Sequence, residues 1–329
     1  MPRFIVWGRI AGEPVPDMSV GPLRTTSTVP TEFVSLASQG GVEDLRASFQ
    51  GAVSSATAHR VDIAAESDHY FWIDRDASDA ISAGKIAIRE YLTPFVAALV
   101  VTAGEAYYAQ AIWASELDPR GRIVRSTGVP IERTTGIHFE RRPDMPSEPV
   151  ADAVSAMESD APARQAAGYL VEGLRMKFRA TSDAELGSAI LQLHLGTETL
   201  ARTVFGTHDE EELLARQQEI VARLRETLGR AGTTSQAAKA IKNASIALDR
   251  EQLRFLADQI RRLGSDLGVD SETVKDAVKV ATFRNQALGH SSTRGVGSEG
   301  WGTWANRAFR TSSTFLRAYC ERAANNARP

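Results

Sequence analysis

The sequence predicts an α+β N-terminal domain, residues 1–149, followed by an all-α helical bundle, residues 150–329. Three observations carry this. Eleven of the 13 prolines lie at or before Pro149, and proline is excluded from helix interiors, so the second part is free to be nearly all helix. The first part holds short β-branched and aromatic runs, the composition of strands. The second part carries apolar residues at spacings of three and four over successive segments, the period of helices that bury one face.

The first part is taken in chain order. Phe4-Ile5-Val6-Trp7, Arg60 to Ala64, Tyr70-Phe71-Trp72-Ile73 and Tyr107 to Trp113 read as strands. Residues 8–31 hold four prolines and three glycines and read as loop or edge strand. Ala77 to Leu92 is helical, and Thr93-Pro94 reads as the N-cap and first turn of another short helix. The proline-rich stretch Arg141 to Pro149 reads as the linker.

In the second part Leu170, Leu174 and Phe178 form one stripe, and Leu186, Ile190, Leu193, Thr197, Leu200 and Val204 another. Leu213, Gln217, Ile220, Leu224 and Leu228 form a third, closed by Gly229. Leu253, Leu256, Ile260, Leu263 and Leu267 suit bundle packing. A capped helix is expected from Asp270 or Ser271 to Leu288, and a last one from about Trp304 to Ala323.

With 329 residues and 43% hydrophobic content, the chain can bury a core for two domains. A formal net charge of −3 argues against a polycation, so any nucleic acid contact must come from a local patch. Residues 271–329 supply one, with nine Lys and Arg against four Asp and Glu, a net of +5. A solvated basic face explains the same count. Cys320 is the one cysteine, which excludes a disulfide framework within the chain and fits a reducing cytoplasm. The start Met1-Pro2-Arg3-Phe4 lacks the apolar core of a signal peptide. The longest apolar run, Phe95 to Val101, is short of the roughly 20 residues of a spanning helix, so no membrane partner is expected.

The stretch that carries chemistry is Phe283-Arg284-Asn285-Gln286-Ala287-Leu288-Gly289-His290. Val274, Ala277, Val278, Ala281 and Leu288 share a helix face, and Arg284 follows Ala281 by three on that face. A cation there costs free energy unless it is paired or serves a ligand. Gly289 suits the left-handed residue that closes a helix, and His290 emerges at the exit. Ser291 to Gly302 follows as a glycine-rich loop in which Arg294 suits a phosphate and Trp301 a base or a packing role.

Arg284, Asn285 and His290, with five residues between Arg and His, resemble the active-site motif of HEPN domains, the all-α domains of many prokaryotic RNases. Leu186 to Phe205, with Leu193, Glu198 and Leu200, resembles the early helix of their Apea-like branch. The resemblance covers roughly residues 150–329 and leaves residues 1–149 unassigned, as a sensor or targeting domain. It implies a HEPN-like bundle, a homodimer through that C-terminal helical domain, and RNA as the partner. Arg284, Asn285 and His290 of both chains would share one cleft. Such proteins often act as toxins or in phage defence.

The chemistry implied is metal-independent RNA cleavage without a cofactor. Histidine exchanges protons near neutrality, and arginine matches phosphate geometry with a permanent charge. Several alternatives stay open. Arg284 can instead pair with a core carboxylate while His290 merely ends a helix. Glu198 can support Arg284, or form an ordinary pair with Arg202 four residues on. His194 and Glu198 have the spacing of two metal ligands, but no third is evident. The rival class is a HEPN-like module that dimerises and binds a nucleotide or protein without cutting.

Overall fold

The computed structural model describes residues 1–11, 15–26, 69–104, 107–121, 123–129, 146–204, 210–251, 254–285 and 300–327. The first part is an antiparallel sheet of β1 (Arg3–Ala11), β2 (Met18–Val20), β3 (Leu23–Thr26), β4 (His69–Asp76), β5 (Tyr108–Leu117) and β6 (Ile123–Gly128). The spatial order is β2-β3-β4-β1-β5-β6. Three of the four expected strands are present, and the fourth, Arg60 to Ala64, lies outside the described residues. Val6 of β1 pairs with Ile73 and with Ala114, and Ile73 pairs with Leu23. All four side chains are at most 1% exposed, so one apolar row crosses four strands and faces the helices. On the opposite face the Trp7 indole donates to Ser115 Oγ at 2.9 Å, satisfying the polar atom that burial would otherwise strand.

Helix α1 (Ala80–Ala87) starts where the Asp79 carboxylate accepts from Ser82 N–H. It lies so close to the sheet side that a Cβ on Gly84 would stand 2.4 Å from Val129 Cγ2. The sequence predicts a new helix at Thr93. Instead α1 runs on through a π-helical turn, Ile88–Leu92, into α2 (Thr93–Ala103). Pro94 has no N–H, and its ring presses on the carbonyl four residues back. The widened turn ahead of it, with Thr93 N–H bonded to Ile88 O, removes that conflict without ending the helix. Gly104 then closes it at φ 72°. The joined helix, Ala80–Ala103, has the length and composition of a membrane span, but 56% of its most apolar window is buried inside the fold. Pro94 to Val101 are all buried, and α2 packs on the helices that follow.

The second part is mostly helical: α3 (Ser147–Ser159), α4 (Ala161–Arg179), α5 (Asp183–Ala201), α6 (Glu210–Arg230), α7 (Thr234–Glu251), α8 (Leu256–Asp266), α9 (Ser271–Phe283) and α10 (Gly300–Ala327). The expected linker thus ends earlier than Pro149, which sits in the first turn of α3, where proline loses no hydrogen bond. Helix α5 is central, with α4, α8, α9 and α10 around it. A capping box of Ser182 and Glu185 fixes its start. Two small residues let neighbours close in. A Cβ on Gly173 of α4 would stand 2.9 Å from Leu193 N, and one on Gly196 of α5 would stand 2.8 Å from Ser312 Oγ of α10.

The expected stripes face the core, except Leu213 to Leu228, which is half-buried on the α6–α7 hairpin. Leu170, Leu174, Ile190, Leu193, Thr197, Leu200, Ile260, Leu263, Ala308 and Phe315 are buried, while Phe178, Trp304 and Tyr319 are half-buried. Leu253 lies outside the described residues. Helices α6 and α7 form an antiparallel hairpin, tied near its base by an Arg216–Glu251 ion pair at 3.3 Å. The two pack on each other, and among the described residues neither lies along another helix.

Candidate functional site

Helix α5 carries His194, Glu198 and Arg202 four residues apart, so they lie on one face. The C-terminal end of α9 brings Arg284 to that face. His194 and Glu198 are buried, whereas the side chains of Arg202 and Arg284 are 70% and 34% exposed. The carboxylate therefore sits at the floor and the two guanidinium groups at the rim.

Glu198 Oε1 accepts from Arg202 Nε at 3.1 Å and from Arg202 Nη2. Glu198 Oε2 has no hydrogen bond, and it stands 3.9 Å from Arg284 Nη2 and 3.8 Å from His194 Nε2. Those distances are too long for hydrogen bonds. His194 Nε2 and Thr197 Oγ1 are likewise buried without a partner. Burial depresses the His194 pKa to about 4, the Glu198 carboxylate opposes this, and Arg284 adds to it. At neutral pH His194 is therefore uncharged, and its approach to Glu198 is not an ion pair. With His194 neutral, one carboxylate faces two guanidinium groups, and the set carries a surplus positive charge at its solvent rim.

Arg284 departs from its expected place. The buried side of α9 is Thr273, Asp276, Ala277, Val280, Ala281 and Phe283, while Val274 and Val278 are half-buried. Arg284 caps α9, and the helical turn widens at Arg284–Asn285, so the stripe does not carry the guanidinium into the core. Asn285 is exposed, and its Oδ1 accepts from Arg284 Nη1 at 3.2 Å. His290 and Arg294, with Leu288, Gly289 and Phe205, lie outside the described residues.

Trp301 takes the packing role. Its ring meets Phe283 edge-on with centroids 5.6 Å apart, and Phe283 stacks on Trp304 at 4.3 Å. These contacts pin the end of α9, and so Arg284, to the start of α10. A second anchor was not read from the sequence. Asp276, itself buried, binds Arg310, Arg307 Nε at 3.4 Å and Lys279 Nζ at 3.3 Å. Arg307 also lies 4.5 Å above the Trp304 ring. Part of the basic surplus of residues 271–329 is thus spent on tying α9 to α10. The signal was available: Asp276 shares the phase of Thr273, Ala277 and Val280.

Two recesses lie away from this cluster. One of about 320 Å³ is lined by Thr102, Asp152, Arg317 and Cys320, and one of about 570 Å³ by Arg261, Val274, Lys275 and Lys279. No group of three or more His, Cys, Asp or Glu suited to a metal ion occurs among the described residues. No family model, curated protein or solved structure matches the chain.

Proposed function

We propose that the chain is a metal-independent endoribonuclease of the HEPN type, working in the cytoplasm as a homodimer, with Arg284 and His290 of each copy at one composite site. The observation that carries the reading is Arg284 itself. Its guanidinium is half-exposed at a helix end, steadied by Asn285 Oδ1 and by the buried Glu198 carboxylate. A cation held this way is oriented before a phosphate arrives, which is what stabilising a transition state requires. Arg202 at the same rim offers a second cation.

In the proposed reaction the 2′-hydroxyl oxygen attacks phosphorus and its proton passes to one His290. The bond from phosphorus to the 5′-oxygen breaks, and the leaving oxygen takes a proton from the second His290. Arg284 holds the charge that gathers on the phosphorane oxygens. Glu198 acts as a positioning residue for Arg284, and Arg294 extends phosphate contact. The biological setting suggested by the resemblance is a toxin or phage-defence effector, with residues 1–149 sensing a trigger or target.

A second reading draws on the same distances. Glu198 engages Arg202 and faces Arg284, as a purely structural tie in a non-catalytic dimerisation or ligand-binding module would. One experiment separates the two. Purified protein is incubated with mixed RNA in EDTA and the cut ends are mapped. Cleavage leaving 2′,3′-cyclic phosphate and 5′-hydroxyl ends, lost by about 10²-fold or more in His290→Ala as for a missing proton-transfer group and also lost in Arg284→Ala, supports the ribonuclease. Intact RNA, or cleavage retained by a folded His290→Ala variant, moves the protein to the binding class.

A further inference from the structure

Among the described residues no third helix lies along the amphipathic α6–α7 hairpin. Leu213, Gln217, Ile220, Leu224 and Leu228 are only half-buried, although they form the inner stripe of α6. On α7 Ala244 is the one buried residue, and Leu214 of α6 and Ile241 of α7 are 55% and 54% exposed. Tertiary packing of the apolar face is what stabilises a helix in a protein. Two helices cover that face from one side, whereas four enclose it.

The charge along the hairpin says what closes it. The tip half, residues 223–242, holds Arg223, Arg225, Arg230, Lys239 and Lys242 against Glu226, a net of +4. The base half, residues 210–222 with 243–251, holds six acidic residues against Arg216 and Arg250, a net of −4. The 21 residues of α6 make a rod about 30 Å long with opposite charge at its two ends. Such a rod complements a copy of itself laid antiparallel and repels one laid parallel. RNA would favour the tip alone and be repelled by the base, yet exposed apolar residues occur in both halves, Leu214 in the base and Ile241 in the tip.

We propose that a second copy of this chain docks its hairpin antiparallel on this one, tip against base, to form a two-fold four-helix bundle. The contact is isologous, so both apolar faces and both charge pairs are satisfied at once. It is a contact separate from the proposed composite site, because antiparallel hairpins set their two bases about 30 Å apart; it does not depend on the ribonuclease reading, and its readout is assembly rather than cleavage.

The test is sedimentation velocity of the full chain at micromolar concentration, in low and high salt, with helix content checked by circular dichroism. The wild type is expected to self-associate through this contact, more weakly in high salt. Leu214→Glu with Ile241→Glu, both at exposed positions, should weaken it at least about tenfold, the equivalent of 1.4 kcal/mol. A tip-reversed chain (Arg225→Glu, Lys239→Glu, Lys242→Glu) and a base-reversed chain (Glu210→Lys, Glu211→Lys, Glu212→Lys) should each sediment alone as a smaller species than the wild type and regain the wild-type size when mixed. A monomeric wild type, an assembly indifferent to Leu214→Glu with Ile241→Glu, or reversed chains that do not pair would overturn the proposal. So would a tip-reversed chain that keeps the wild-type assembly but loses RNA retention, which would make the tip an RNA contact.

Discussion

Replacing His194 by leucine should remove a pH dependence from the stability of the fold. His194 is 1% exposed, its Nε2 has no hydrogen bond, and its pKa in the fold is about 4 against an ordinary 6.5. The folded form holds the imidazole neutral, whereas the unfolded chain binds a proton below pH 6.5. Unfolding therefore takes up a proton between the two values, and stability must fall as pH falls through that window. Above pH 6.5 the contribution is complete. At pH 5 about 2 kcal/mol is lost, and near pH 4 about 3 kcal/mol, at 1.4 kcal/mol for each tenfold in acidity. Leucine fills a similar volume and titrates nowhere. Because Glu198 Oε2 is 3.8 Å from His194 Nε2, the variant breaks no hydrogen bond. Urea unfolding from pH 7.5 to pH 4.5 measures the difference between the two proteins. His194→Leu should gain on the wild type steadily below pH 6.5. A difference that stays constant with pH would refute the reasoning, since it would mean the imidazole is protonated alike in both states.

Two further substitutions test the packing that holds the site. Gly173→Ala puts a Cβ 2.6 Å from Leu193 Cγ and 2.9 Å from Leu193 N, and should cost about 1–3 kcal/mol by overpacking, read as a lower melting temperature; an unchanged melt would show that α4 and α5 can part without cost. Asp276→Asn removes the charge shared by Arg307, Arg310 and Lys279. Of these Arg307 is 15% exposed and the others more than half, so the loss should be about 2 kcal/mol, mostly from Arg307, measured by urea unfolding; a loss confined to low salt would assign it to the exposed pair instead.

Much of the fold was legible in the sequence because burial imprints a period. Leu186 to Val204 repeats at helical spacing around α5, whereas Phe4 to Trp7 and Tyr70 to Ile73 show as strands through their β-branched and aromatic composition, being apolar on both faces of the sheet. The helix through Pro94 was not legible, since a π-helical turn has no apolar period of its own. Extending the phase of α9 puts Arg284 on the core stripe, but the helix widens at Arg284–Asn285 and breaks that phase. The face shared by His194, Glu198 and Arg202 follows from their spacing alone. That Arg284 meets it depends on how α9 packs against α5, which local spacing does not encode. The phase of Asp276 with Thr273, Ala277 and Val280 marks it as buried, but its partners Arg307 and Arg310 come from another helix and are not read from local spacing.

Helix α2 belongs to the first part by sequence and to the second by packing. Pro94 to Val101 are buried against α3, α4 and α10 as well as their own neighbours. A fragment cut at the proline-rich linker would leave the helical part with an open apolar trench and the sheet part with a greasy rod in water. Each fragment would then seek cover by aggregating. A change in the strands that tilts α1 also moves α2, and through it α4 and α10, the helices that pack against those carrying Glu198 and Arg284.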